Sequence, residues 1–302
     1  MSDFTIGEAV GTGFRVVRNK PLTLLAWFVF QFVTSILALV LMFAAFGTSL
    51  AQMQNIPTGP QADPTVALQM VSRMFGLLAL MIPYYLLISA VITTAANRAV
   101  LEPENSAFGY LRLGASELRV LVVNLVVGFF LFCTYAVSII VGALVMGGFA
   151  VAGRNNPALA VVGVLIMVAL ILSALAFVAT KFALAPAQTV DTRSINIFGS
   201  WSLTRGRFWK VFSVYLLCFL IVLALYLVMG LAFLAIMGVS VASVAGLANV
   251  MPKAGSMAGI FAPATLAYYF VSGLVGALVL AVILTPGAFM YQRITDRADE
   301  VF

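Results

Sequence analysis

Residues 21–47 contain no charged side chain. An α-helix needs about 20 apolar residues to cross roughly 30 Å of hydrocarbon, so this run, apolar from about Leu22, can span a bilayer by itself. Five further runs of the same kind begin near Phe75, Leu118, Ala158, Phe212 and Phe261. Their apolar character is continuous rather than alternating, which argues against the strands of a membrane β-barrel. The sequence therefore predicts an all-α, polytopic bundle of six transmembrane helices. Composition agrees, with 63% hydrophobic and 9% charged residues, where a soluble domain carries about 25% charged. The runs 118–152 and 212–248 exceed one crossing, and their glycines (Gly142, Gly147, Gly148; Gly230, Gly238, Gly246) point to helices that project beyond the bilayer or kink. The first run is longer than a signal-peptide core and no small-residue cleavage site follows, so it is expected to be a retained span. Cys133 and Cys218 fall inside spans and imply neither a disulfide nor a redox compartment.

Charge placement sets the orientation. Arg15, Arg18 and Lys20 precede the first span; Arg98, Arg112 and Arg119 separate the second from the third. Lys181, Arg193, Arg205, Arg207 and Lys210 separate the fourth from the fifth, and Arg293 and Arg297 follow the sixth. Of the 16 basic residues only Arg73, Arg154 and Lys253 lie on the other side. Short cytoplasmic loops hold the Lys and Arg, so both termini of this multi-pass chain are expected in the cytosol. Nine of the ten acidic residues share the basic side. The small surplus of positive charge suits attraction to anionic phospholipid and argues against a nucleic-acid partner.

The cytosolic segments repeat one another. "FGYLRL" at 108–113 and "FGSWSL" at 198–203 share Phe, Gly and Leu at the same offsets. Upstream, "RAVLEP" at 98–103 and "KFALAP" at 181–186 share a basic residue, Leu and Pro. Helix caps are expected at Asn105 or Ser106 in one copy and at Ser194 in the other. Before the first span, "TIGEAVGTGFRVVRNKP" places Thr5 three residues ahead of Glu8, a capping-box spacing, with Ile6, Val10, Phe14 and Val17 on one face. The chain thus reads as a single membrane domain, 1–302, of three tandem units at about 4–103, 104–186 and 187–299. Each unit would be a short cytosolic amphipathic helix followed by a two-span hairpin. Units with an even number of crossings share one orientation, so approximate three-fold symmetry about the membrane normal is expected. Ser272, Gly273, Gly276 and Ala277 would let the sixth helix pack closely on a neighbour.

The stretch "FGSWSLTRGRFWKVF" at 198–212 concentrates aromatic and basic residues at the membrane edge. On one continuous helix Phe198, Trp201 and Phe208 would share a face among lipid carbonyls while Arg205, Arg207 and Lys210 reach phosphates. Trp201, Arg205, Arg207, Trp209 and Lys210 are therefore candidate contacts to a lipid headgroup, or else an interfacial anchor that sets the depth of the fifth span. Glu117 stands where Arg207 would fall in the second copy, so such a site would belong to the third unit alone. Arg98, Lys181 and Arg293 lie at cytosolic span ends, where they can snorkel to the interface or gate a central cavity. Asn124, Pro83, Tyr84 and Tyr85 are the polar or helix-breaking residues at depth, candidates for the bundle interior.

Catalysis is argued against. The chain has no histidine, which removes the usual general base and the commonest metal ligand. Glu102 and Glu104 flank Pro103 in a polar turn, and "GEAVGTG" at 7–13 lacks the preceding strand and following Lys of a phosphate loop. No catalytic residue, metal site or cofactor is expected.

The run "LAPAQTVDTRSINIFGSWSLTRGRFWKVF" at 184–212 resembles the recurring signature of bacterial membrane proteins related to the membrane domain of glycerophosphoryl diester phosphodiesterases. The resemblance implies a multi-span bundle, here expected in a bacterial inner (cytoplasmic) membrane, in some members fused to a soluble phosphodiesterase barrel. Residues up to Phe302 contain no such barrel, and the missing histidine is incompatible with its metal-dependent site. The expected role is non-enzymatic: organising lipids or partner membrane proteins in envelope homeostasis. The alternative is a transporter or flippase for a lipid-like or amphipathic molecule.

Overall fold

The computed structural model describes residues 4–53, 64–104, 106–152, 157–236, 261 and 263–299. Asp63, Asn105, Arg154, Gly238, Gly246 and Lys253 lie outside them. The described residues form helices α1 (Ile6–Asn19), α2 (Pro21–Met53), α3 (Pro64–Leu101), α4 (Ala115–Ala152), α5 (Pro157–Phe182), α6 (Ala185–Thr192), α7 (Ile197–Leu203), α8 (Phe208–Ile236) and α9 (Pro263–Asp299). Six of them, α2, α3, α4, α5, α8 and α9, are long and apolar enough to cross a membrane. At 38 residues, α4 runs unbroken for about 57 Å, well past a bilayer core.

The six long helices touch in chain order and close into a ring, α9 returning to α2. Hydrophobic transfer gives no drive for helix pairing inside lipid, so close approach at small residues and interhelical hydrogen bonds hold such a ring together. The α9–α2 seam shows this: a side chain at Gly273 or Gly276 would press on Phe28 or Gln31 at 3.4 Å, and Ala277 is fully buried. Across α2 and α3, the Tyr84 hydroxyl donates to the Thr34 carbonyl. Between α3 and α4, Asn124 donates to Ser89 at 3.1 Å. Because α9 also packs directly on α3, the ring is flattened and α2 is pushed to its outside.

The ends carrying Lys20, Arg98, Lys181, Lys210 and Arg293 gather at one side, here termed the basic end. There α1 lies across α9 and α8. Its capping box forms as the sequence predicts: Glu8 N–H donates to Thr5 Oγ1 and Thr5 N–H donates to Glu8 Oε2 at 3.1 Å. The Thr5 hydrogen bonds hold the Glu8 carboxyl below its ordinary value, so this cap is intact above the usual carboxylate range and weakens as pH falls through it. The buried face differs from the expected one. Ala9, Val10, Thr12 and Gly13 face inward, while Ile6 and Phe14 are exposed. A Cβ on Gly13 would lie 2.7 Å from the Ala281 carbonyl oxygen, so the small-residue face wins because it brings the two backbones together.

The two matched motifs adopt different backbones. In "FGSWSL" the residues form α7, whose N-cap is Asn196 rather than Ser194; the Asn196 side chain accepts from Gly199 N–H at 2.9 Å. In "FGYLRL", Phe108, Gly109 and Tyr110 are all left-handed, with φ of 52°, 65° and 65°, and Ser106 makes no side-chain cap. Tertiary contacts hold this strained turn. Trp27 Nε1 donates to the Gly109 carbonyl at 2.8 Å. Tyr110, fully buried, accepts from Lys20 and donates to the Pro103 carbonyl at 2.8 Å. A Cβ at Gly109 would meet Ala26 at 2.6 Å. The Pro that "KFALAP" shares with "RAVLEP" closes no span: Pro186 sits in the first turn of α6, a short helix under α3, α4, α7 and α9.

Arg98 does not snorkel. In the last turn of α3 it pairs with Glu117 in the first turn of α4 at 2.5 Å, both side chains almost fully buried. Each charge sits at the helix end whose dipole favours it. Glu117→Gln should strand the buried guanidinium and cost about 3–5 kcal/mol, read as a lowered Tm in detergent. Arg98→Met combined with Glu117→Leu should recover most of that loss. Equal losses in the single and double variants would show that the pair contributes nothing as a pair.

Candidate functional site

A cavity of about 710 Å3 lies inside the ring between α3, α4, α5, α8 and α9. Its walls are almost wholly apolar, among them Val127, Leu131, Ala176, Phe212 and Leu284. The polar lining residues are few: Thr93, Asn97, Thr180 and Tyr215 toward the basic end, and Ser173 further along α5. Most of them spend their donors on backbone. Asn97 donates to Thr93 at 2.7 Å, Thr180 to Ala176 at 2.7 Å and Tyr215 to Ala183 at 3.5 Å. A cavity of this size with a few convergent polar groups has the character of a site for an amphipathic molecule.

The cavity opens sideways. Leu172 of α5 and Leu216 and Phe219 of α8 line it and remain exposed. The α5–α8 seam, where they meet, is the loosest in the ring. Every lining residue comes from the half of its helix nearer the basic end. Pro286 and Gly287 interrupt the regular side-chain surface of α9 here. A Cβ on Gly287 would lie 2.8 Å from the Tyr215 hydroxyl and 3.3 Å from the Ala183 carbonyl oxygen.

A second, smaller feature stands at the basic mouth of the same seam. Lys181, the penultimate residue of α5, is 9% exposed. Its ammonium lies 5.2 Å from the Trp201 ring centre, 5.7 Å from Phe208 and 5.8 Å from Phe177. Three side-chain faces from α5, α7 and α8 therefore surround one cation. Ser200 of α7, fully buried, locks the arrangement: it donates to the Lys181 carbonyl at 2.8 Å and accepts from Leu184 N–H at 3.2 Å. Lys181, Phe198, Trp201, Ser202 and Arg205 line an open cup of about 610 Å3. Phe182 divides cup from cavity, since it lines the cavity and packs on Trp201 and Phe198 at 5.7 and 6.3 Å.

The predicted candidates separate accordingly. Trp201 and Arg205 meet at the cup, together with Lys181, which is enclosed by rings rather than snorkelling. The turn Thr204–Arg207 ends α7 with Gly206 at φ 78°, so Phe208 belongs to α8 and shares no helix face with Trp201. Trp209 and Lys210 are exposed and do not line the cup; Arg207 also lies outside it. Arg293 lies over the Phe289 ring of its own helix at 5.5 Å, and Arg15 over the same ring at 5.4 Å links α1 to α9. Pro83, Tyr84, Tyr85 and Asn124 do not line the cavity: Tyr84 and Asn124 tie neighbouring helices, and Tyr85 is exposed. Thr93, Asn97, Thr180 and Tyr215 carry no expectation from the sequence reading, although "TTAANR" at 93–98 is a visible polar interruption of an apolar run.

Six apolar helices closed around an internal cavity define a multi-pass membrane protein. Comparison with family models, with curated proteins and with solved structures finds no match.

The Gly287–Tyr215 contact is open to a double-mutant cycle. Gly287→Ala should cost about 1–3 kcal/mol by overpacking, measured as thermal unfolding in detergent. In a Tyr215→Phe background, where the facing oxygen is gone, the same substitution should cost far less. An undiminished cost would place the strain elsewhere.

Proposed function

We propose that this chain is a non-enzymatic membrane protein that binds one lipid-like molecule from the side, in the slot between α5 and α8. The carrying observation is the apolar cavity with its exposed rim at Leu172, Leu216 and Phe219. A molecule entering there leaves one apolar environment for another, so no charged path through the bundle is needed. In this reading the basic end faces the cytosol of a bacterial cell, as the Lys and Arg excess suggests, and the role is to organise or sense lipid in the envelope. The tandem organisation into three units fits a ring that closes in chain order, with the second unit's cytosolic segment reshaped into the left-handed turn. The resemblance to the phosphodiesterase membrane domain is proposed to extend to the bundle and to bring no activity with it.

The alternative, transport of the same kind of molecule, needs a path to the opposite face. Confinement of the cavity to the basic half of the helices favours holding over passage.

Photolabelling with a zwitterionic phospholipid that carries a diazirine on its acyl chain tests the proposal in nanodiscs. Label should concentrate on peptides covering 172–180 and 212–219, and Ala176→Phe with Ala179→Phe should reduce it at least about fivefold (about 1 kcal/mol), at unchanged Tm. Even labelling of all lipid-facing helices, insensitive to those substitutions, would refute the slot.

A further inference from the structure

The cup at the head of the α5–α8 slot has a physical problem that a ligand would solve. Among the described residues, the Lys181 ammonium has no carboxylate and no hydrogen-bond acceptor; its neighbours are the three ring faces. With only 9% of the residue exposed, Lys181 is shielded from most of the surrounding solvent. Ring faces return only part of that solvation, about 2 kcal/mol for a desolvated contact. Buried charges are otherwise paired, as Arg98 and Glu117 are in the same structure. Across the cup stands Arg205, exposed in the turn between α7 and α8 and likewise without a carboxylate partner among the described residues. Arg205 comes from another element and is held in place by backbone bonds, its N–H donating to the Ser202 carbonyl at 3.0 Å. Two cations of different chemistry, one a buried point charge and one an exposed planar fork, thus converge on one concavity that has no carboxylate counter-ion among the described residues.

We infer that the cup is a phosphate-binding site for the headgroup of an anionic phospholipid whose acyl chain occupies the slot. This rests on the proposed function and names the ligand class of that site. Depth supports the lipid source. Lys181 is one residue from the end of α5, the level at which a span meets headgroups. Continuity supports it too, because the aromatic wall between cup and cavity is shared: Phe182 of the cavity lining packs on Phe198 and Trp201 of the cup, and Phe208, against Lys181, stacks at 6.0 Å on Phe212 of the cavity lining. Arg205 would supply the bidentate contact to phosphate oxygens and Lys181 the charge behind it. Trp201, an exposed residue of the cup lining, would cover the glycerol region. Arg207, Trp209 and Lys210 take no part.

The test uses the full chain in nanodiscs of phosphatidylcholine with one part in five phosphatidylglycerol, analysed by native mass spectrometry. The wild type should retain phosphatidylglycerol several-fold above its share of the bilayer. Arg205→Gln, an exposed substitution that leaves the fold intact, and Lys181→Met should each bring retention down to the bilayer ratio, and Lys181→Arg should keep it. A second arm titrates detergent-solubilised protein with inorganic phosphate and follows tryptophan fluorescence. A phosphate response lost in Arg205→Gln, with no lipid preference, would establish the phosphate site and overturn the lipid as its source. No preference and no response would overturn the site altogether. Because the photolabelling lipid is zwitterionic, slot labelling that persists alongside a failed preference would sink the headgroup inference alone, whereas absent slot labelling would sink the proposed function.

Discussion

A helix in lipid satisfies its own backbone along its length and leaves its ends to be satisfied by something else. In this protein the ends of α3 and α5, and the turn that leads into α4, are closed by side chains reaching from other elements, and the arrangement at the basic end follows from that. Lys20, at the junction of α1 and α2, caps the end of α3 through the Ala99 and Pro103 carbonyls at 3.2 and 3.3 Å. Trp27 of α2 closes the turn before α4. Ser200 of α7 closes the end of α5. Each of these contacts fixes where a short segment lies. α7 is pinned under α5 by Ser200, and that pinning carries Trp201 onto Lys181.

The flattened ring has a similar cause. α9 approaches α2 and α1 through Gly273, Gly276 and Gly13, so its backbone comes nearer to both than bulky residues would allow. Contact with α3 follows, and the space inside the ring is displaced toward α4, α5 and α8. The α4–α5 hairpin, which packs tightly on itself where Gly142 meets Met167 and Gly163 meets Phe149, has little left with which to grip α8. A loose seam beside a displaced interior is what produces a cavity open to the side.

Span number and span order are legible in the sequence because a bilayer imposes a length and an apolar character that no other environment demands. The Thr5–Glu8 cap is legible because it is local. What fails is what depends on contact. The shared Phe-Gly of "FGYLRL" and "FGSWSL" hides two different needs for glycine: at 109 a positive φ against α2, at 199 room for Gln188 of α6. A single helical wheel through 198–212 misplaces Phe208, because Gly206 turns the chain between α7 and α8. Lys181 is legible as a span-end cation, but its enclosure depends on Phe208 and Trp201, more than a dozen residues away in sequence. The cavity lining is the least legible part, since Ala176, Ala179 and Gly287 matter there for the volume they leave open.

The most direct measurement is a cryo-EM structure of the chain in lipid nanodiscs, at a resolution that shows acyl chains. An elongated density is expected between α5 and α8, running inward past Leu172 and Phe219 to Ala176 and Phe212, with its polar end at Lys181 and Arg205. Close packing of α5 on α8 along their whole length, with side chains filling the interior beside Asn97 and Tyr215, would contradict it.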